Sequence, residues 1–342
     1  MPSLYTIRSG VSLFCSRSCD HLRMRRSTLF GVLAAAWLLP GSSYAHDYWM
    51  VPAQYVVPSD AEIALSLFVG EDFVAEDEKH FERSRTTRLA FVHKSSTEDL
   101  INAGVEGALP MLRVHAAGAG GHLVAFDRNA SRIELEPKKF EAYLHDEGLD
   151  AVVAERARRG ETAKPGRERY TRYLKALIQV ADARDDANAA VVGQTLELSP
   201  EANPVFAAQS GSITWVVRFQ GAPLEGAMIE ALSRVGTDVR KAKYVSDAHG
   251  RINVAIDRQG VWLVRMVHMT RCEGCDDADW QSFWSSYSFA SASARTVVAP
   301  DMLAPHPTSG RGWVTWAALA TGLGVLASVA YVIVRRRRRV SP

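Results

Sequence analysis

Catalytic signatures are missing from this 342-residue chain. No G-x-S-x-G turn presents a nucleophilic serine, and no glycine-rich loop of the phosphate-cradling kind occurs. The histidines never stand in an H-x-H or H-E-x-x-H spacing. Cysteine is scarce, with 4 residues, and only one C-x-x-C pair exists, so the second pair of a closed zinc site is missing. No repeat of fixed period runs through the chain. The formal net charge is only +2, and it includes basic clusters at both ends, so no basic surface suggests nucleic acid. These absences point away from an enzyme.

The two ends are informative. Arg23, Arg25 and Arg26 precede the apolar run Leu29–Leu39, which Pro40 and Gly41 break. Ser43 and Ala45 then supply the small residues that signal peptidase needs. The run is short for a membrane span, which takes ~20 apolar residues. Residues 1–45 therefore read as a signal peptide with Met24 as the expected initiator, and the mature chain is expected to begin at His46. An uncleaved anchor is the alternative. At the other end no residue between Arg311 and Arg335 is charged. Residues 312–334 read as one transmembrane helix with interfacial Trp313, Trp316 and Tyr331. The arginine run Arg335–Arg339, within a basic tail at 335–342, is expected in the cytoplasm. The bulk of the chain is then expected in the periplasm, held to the inner membrane by a single pass, with residues 291–311 as a tether.

The interior reads as mainly β with a helical insert. Ile63, Leu65, Leu67 and Val69 alternate as in a half-buried strand. Arg88–Val92, Gly121–Phe126 and Ile133–Leu135 extend the pattern. Pro137 suits a first helical turn, and Phe140, Tyr143 and Leu144 form an apolar stripe that Gly148 would close. A helical segment is expected over 137–180, its last helix carrying Tyr170, Tyr173, Leu174 and Leu177 on one face. From about 194 short strands return at sandwich-like spacing. Two β-sandwich-like domains are expected, at 46–193 and 194–290.

Several segments resemble a known family. His46-Asp47-Tyr48-Trp49, Val69-Gly70-Glu71, Phe140-Glu141-Ala142-Tyr143-Leu144, Glu168 to Lys175, Trp262 to Met269 and Ala278 to Trp284 occur in the order of the bacterial domain-of-unknown-function family 4198. Members are commonly labelled a periplasmic component or substrate-specific region of nickel or cobalt uptake. The resemblance covers about residues 46 to 290. Gly221 to Ala227 followed by Ser246 to Arg251 also resembles a carboxypeptidase regulatory-type sandwich, a module that is usually structural.

Candidate metal ligands follow. Cleavage before His46 would give one residue both an imidazole and an α-amine of pKa about 7.7–8.0, donors suited to nickel, cobalt, copper or zinc. The plainer reading packs His46 against Trp49. Cys272 and Cys275 are either a small disulfide or a soft-metal pair, the former suiting an oxidising compartment. His268 is either a ligand or a buried, hydrogen-bonded histidine. Glu71 is an oxygen ligand or part of an exposed acidic turn. His93 and His122 sit at strand ends and could join a site. The expected role is a membrane-anchored accessory for Ni²⁺ or Co²⁺ uptake. The ion would be carried cargo, delivered to an inner-membrane permease, with no catalytic cofactor. A non-catalytic structural or protein-interaction module of the cell envelope is the alternative. An exported copper oxidase would need a second histidine beside His46.

Overall fold

The computed structural model describes residues 46–209 and 211–291. The expected signal peptide, transmembrane helix and basic tail, and the tether beyond Ser291, lie outside the described residues. Among the described residues no helix is long and apolar enough to cross a membrane.

The fold is mainly β, with two α-helices. Its centre is a nine-stranded sheet. In spatial order this sheet runs β14 (Asp238–Val245), β13 (Met228–Val235), β16 (Val261–Arg271), β17 (Trp280–Ala290), β9 (Gly166–Val180), β8 (Gly120–Leu135), β5 (Thr86–His93) and β6 (Ser96–Asp99). The short β2 (Val56–Val57) adds to β9. A four-stranded sheet holds β1 (Asp47–Pro52), β3 (Ala61–Glu71), β4 (Val74–Lys79) and β7 (Leu112–Ala116). A second holds β10 (Leu196–Pro200), β11 (Ser212–Phe219), β12 (Ala222–Pro223) and β15 (Arg251–Ala255).

Side-chain alternation assigns the layers, because successive residues of a strand point to opposite faces. Tyr173, Leu177, Phe283, Tyr287, Val264 and Met266 form one face of the central sheet, and they pack on Leu196, Leu198, Trp215 and Val254 of the β10–β11–β15 sheet. Leu174, Ala176, Ile178, Val124 and Phe126 form the other face, packed on Met50, Leu65 and Leu67. The opposite side of β1, Trp49 and Val51, meets Leu232, Val261 and Leu263 on that same face. The β1–β3 sheet therefore stands on its β1 edge, with both sides packed against one face of the central sheet. Full burial of each such large side chain stabilises the fold by ~1.5–3 kcal/mol.

The expected domain boundary at 193 does not separate two sheets. β17 pairs in parallel with β9, Trp284 opposite Arg172, so strands from before and after that position share one ladder. The helical segment is also shorter than expected. α1 (Pro137–Asp146) and α2 (Asp150–Arg158) form, and Gly148 takes a positive φ of 66° where α1 ends. The third expected helix is instead β9. Both of its faces are covered, and Lys175 and Gln179 are buried with partners, so polar and apolar residues do not sort into a period of two. One strand, β4, carried no apolar-alternation signal, because it includes the acidic run Glu76–Glu78.

Candidate functional site

His46 is the first described residue, and the strand it leads into is fixed from several directions. β1 pairs with β3 along one edge, Asp47 opposite Gly70 through Pro52 opposite Leu65. Its other edge faces the floor of the central sheet, which has no strand to offer there. Side chains do the pairing instead. Arg172 Nη2 donates to the His46 carbonyl at 3.0 Å, Ser286 Oγ to that of Tyr48 at 2.9 Å, and Ser288 Oγ to that of Met50 at 2.6 Å. The three acceptors are spaced by two residues, as the pleat requires.

The residue after His46 is held as firmly. The buried Asp47 carboxylate accepts from Arg265 Nε at 2.7 Å. The same guanidinium donates to Glu147 at 2.9 and 2.5 Å and to Glu230 at 3.1 Å. Three carboxylates from β1, the end of α1 and β13 thus converge on one buried cation from β16. Burial works against the Arg265 charge, but the three carboxylates outweigh it and hold the guanidinium above its usual value. Burial raises the Asp47 carboxyl and lifts Glu147 to about 7. Lys243 Nζ, 3.5 Å from Glu230, adds a second positive charge.

The His46 ring sits beside the β3–β4 hairpin, with Nε2 3.5 Å from Glu76 Oε2. Glu71 belongs to the same hairpin, opposite Val74, and is exposed. At 3.5 Å the Glu76 carboxylate is within ion-pair distance of Nε2. Nδ1 and an α-amine on one residue close a six-membered ring around a metal ion, and a carboxylate on the other nitrogen fixes the tautomer that such a ligand needs.

The other sequence candidates do not join His46. His268 lies on the opposite face of the central sheet, edge-on to Phe219 at 4.5 Å between ring centres; burial lowers its pKa. His93 and His122 do meet each other, their rings stacked at 3.9 Å and 8°. His122 stands opposite Ile178 on β9, and His93 stands opposite His122 on β5; Ile178 is six residues from Arg172, ~20 Å along the strand. His122 Nδ1 and Nε2 face the carbonyls of Gly120 and Ala117 at 3.3 and 3.1 Å, and burial, then the neighbouring His93, lowers its pKa. His93 Nδ1 faces the Gly121 carbonyl at 3.0 Å. Cys272 and Cys275 are joined as a disulfide, which takes both out of soft-metal chemistry. Among the described residues no three His, Cys, Asp or Glu side chains gather closely enough to hold an ion.

Glu76, Arg172, Arg265, Ser286 and Ser288 were not legible as partners of His46. Glu76 sits in a charge run that reads as a solvated loop. The even positions Ser282, Ser286 and Ser288, set against Phe283, Tyr287 and Phe289, do carry a period of two, and that signal marks a strand with one small, polar face.

Comparison with known proteins gives a family. The profile described as Domain of unknown function (DUF4198) matches residues 43–270, and the chain belongs to that family. No curated protein matches. Fifteen solved chains match. One is a crystal structure of a mutant Salmonella alpha-2-macroglobulin, 11% identical, covering 71% of this chain and 15% of that chain with a TM-score of 0.17. This chain thus spans about 15% of the length of that protein, and at such a TM-score the likeness carries no argument.

Proposed function

We propose that this member of the DUF4198 family is an exported, membrane-anchored accessory protein that holds a nickel or cobalt ion at its processed N-terminus and passes it to an inner-membrane permease. The observation that carries the reading is the fixed start of β1. The His46 carbonyl is bound by Arg172, Asp47 by Arg265, and the His46 ring by Glu76. Cleavage before His46 supplies the α-amine, and with Nδ1 it makes a nitrogen pair suited to these ions. Glu76, at ion-pair distance from Nε2, would orient the ring. The remaining positions stay open to water or to a permease residue, which suits a carrier that must release its ion. Binding displaces a proton from the amine and so weakens as pH falls. The membrane helix would keep the carrier beside its permease at high effective concentration.

Titration calorimetry with nickel on the exported, processed protein tests this. Saturable one-to-one binding that is lost in His46→Ala supports it. Absence of binding with an authentic His46 terminus sinks it. A second reading, a non-catalytic interaction module of the envelope, is favoured by the dispersal of the other candidates: His268, the His93–His122 pair and the disulfide all lie away from His46. It becomes the better account if the processed protein binds no metal.

A further inference from the structure

Gly118, Gly120 and Gly121 turn the chain into β8. Gly118 and Gly120 take positive φ, 81° and 129°, which a side chain would resist. A Cβ on Gly120 or Gly121 would also collide with the carboxylate of Asp185, which lies in the connection from β9 to β10. Both oxygens of Asp185 accept from the Gly121 N–H, at 3.1 and 3.0 Å, and Oδ1 accepts from the Ala187 N–H at 3.2 Å. Buried Gln179 on β9 holds the start of the same connection, donating to the carbonyls of Ala181 and Ala183 at 3.0 and 2.7 Å. The turn 117–121 and the connection 181–187 are thus clasped to each other at one end of the central sheet.

The stacked histidines sit inside this clasp. His93 is half-buried and its Nδ1 donates to the Gly121 carbonyl; His122 is 1% exposed, with its two nitrogens on the Gly120 and Ala117 carbonyls. The turn Ala117–Gly121 carries no ionisable side chain, and Ile178 opposite on β9 is apolar. His93 and Asp185 are therefore the ionisable groups that face His122. The two carbonyls and Asp185 favour a proton on it. Burial and then His93 oppose the proton and outweigh them, so the closed arrangement holds the His122 pKa below its ordinary value. Asp185 carries a single charge. It can offset one imidazolium, and a second one stacked at 3.9 Å would meet like charge at close range. We propose that the stacked pair is an acid-opened latch: a proton on each ring parts the turn 117–121 from the connection 181–187. The open form protonates His122 more readily than the closed one. The latch is therefore fully closed above the ordinary histidine value of 6.5 and weakens as pH falls below it. Opening uncovers the end of β9, where β2 pairs through Val56–Gln179 and Val57–Val180.

Hydrogen-exchange mass spectrometry on the exported, processed protein tests the latch, at pH 7.5 and pH 5.0 with rates corrected for the intrinsic pH dependence of exchange. Peptides covering 117–122 and 181–187 should lose protection by about tenfold at pH 5.0, while those of β16 keep theirs. His93→Phe keeps a ring against His122 and cannot take a charge. It also loses the donor to Gly121, so its protection falls at both pH values; the readout is the ratio between the two, which should drop to near one. Asp185→Asn removes the charge that offsets the first imidazolium and should raise the pH of opening by about half a unit or more. The inference is overturned if the wild-type peptides are protected equally at the two pH values, or if protection is lost evenly along the whole chain. It is also overturned if His93→Phe keeps the wild-type ratio. No metal is present in these measurements, so their outcome does not depend on nickel binding at His46.

Discussion

Replacing Glu147 by Gln should stabilise this protein at alkaline pH and leave it nearly unchanged in acid. Glu147 is one of three carboxylates around a single buried arginine. Burial is the largest influence on it, and it raises the carboxyl; Arg265 opposes this, and Asp47 and Glu230 add to the rise. The outcome is a carboxyl lifted from 4.5 to about 7 in the folded state. A group raised in this way binds more protons folded than unfolded between those two values, so stability falls as pH rises through that window and levels off above it. At ~1.4 kcal/mol per pH unit, the folded state loses about 3 kcal/mol of stability over the window. Glutamine copies the protonated form. Urea unfolding at pH 5 should therefore give nearly equal stabilities for the variant and the wild type. At pH 8 the variant should be the more stable by up to about 3 kcal/mol. Asp47, raised by burial in the same cluster, leaves the variant with a residual slope of the same sign. The reasoning is refuted if Glu147→Gln is destabilised by the ~3–5 kcal/mol typical of a broken buried pair at pH 8. That result would mean that the Arg265–Glu147 attraction outweighs burial and the repulsion of the neighbouring carboxylates.

Other perturbations have defined outcomes. Ser288→Ala leaves the Met50 carbonyl facing the sheet floor without its donor and should cost ~1–3 kcal/mol in urea unfolding, with β1 amides exchanging faster in hydrogen-exchange mass spectrometry. Lys175→Met leaves the Glu197 carboxylate, 2% exposed, with only the backbone N–H groups of Val192 and Gly193 and no cation, and should cost ~3–5 kcal/mol in urea unfolding. Glu76→Gln should keep the fold and weaken nickel by about ten- to a hundredfold, the usual cost of losing a carboxylate that orients a metal-binding histidine.

Much of the β-structure could be read locally. Ile63, Leu65 and Leu67 alternate along β3, and the strand they mark is there. Phe140, Tyr143 and Leu144 mark the buried stripe of α1. What could not be read was long-range. β9 looked helical because Tyr170, Tyr173, Leu174 and Leu177 recur at helical spacing, while its burial on both faces depends on strands more than a hundred residues away, such as β17. The same holds for the site. The cleavage pattern is what draws attention to His46. Its supports come from Arg172 on β9 and, through Asp47, from Arg265 on β16, and no local pattern connects residue 46 with residues 172 and 265. His46, His268 and Glu71, each a candidate ligand, do not all converge, for a simple reason. The residues alternate in strands, and His268 falls on the face that β1 does not touch.

The most direct test of the central claim uses two versions of the mature protein. One begins at His46 after natural processing. The other carries a single extra glycine before it, which removes the α-amine from His46 and leaves every side chain in place. Calorimetry with nickel at pH 7.5 should show one-to-one binding to the first and binding at least about tenfold weaker, ~1.4 kcal/mol, to the second. Equal affinity in the two would show that the processed terminus is no ligand, and the account would be contradicted.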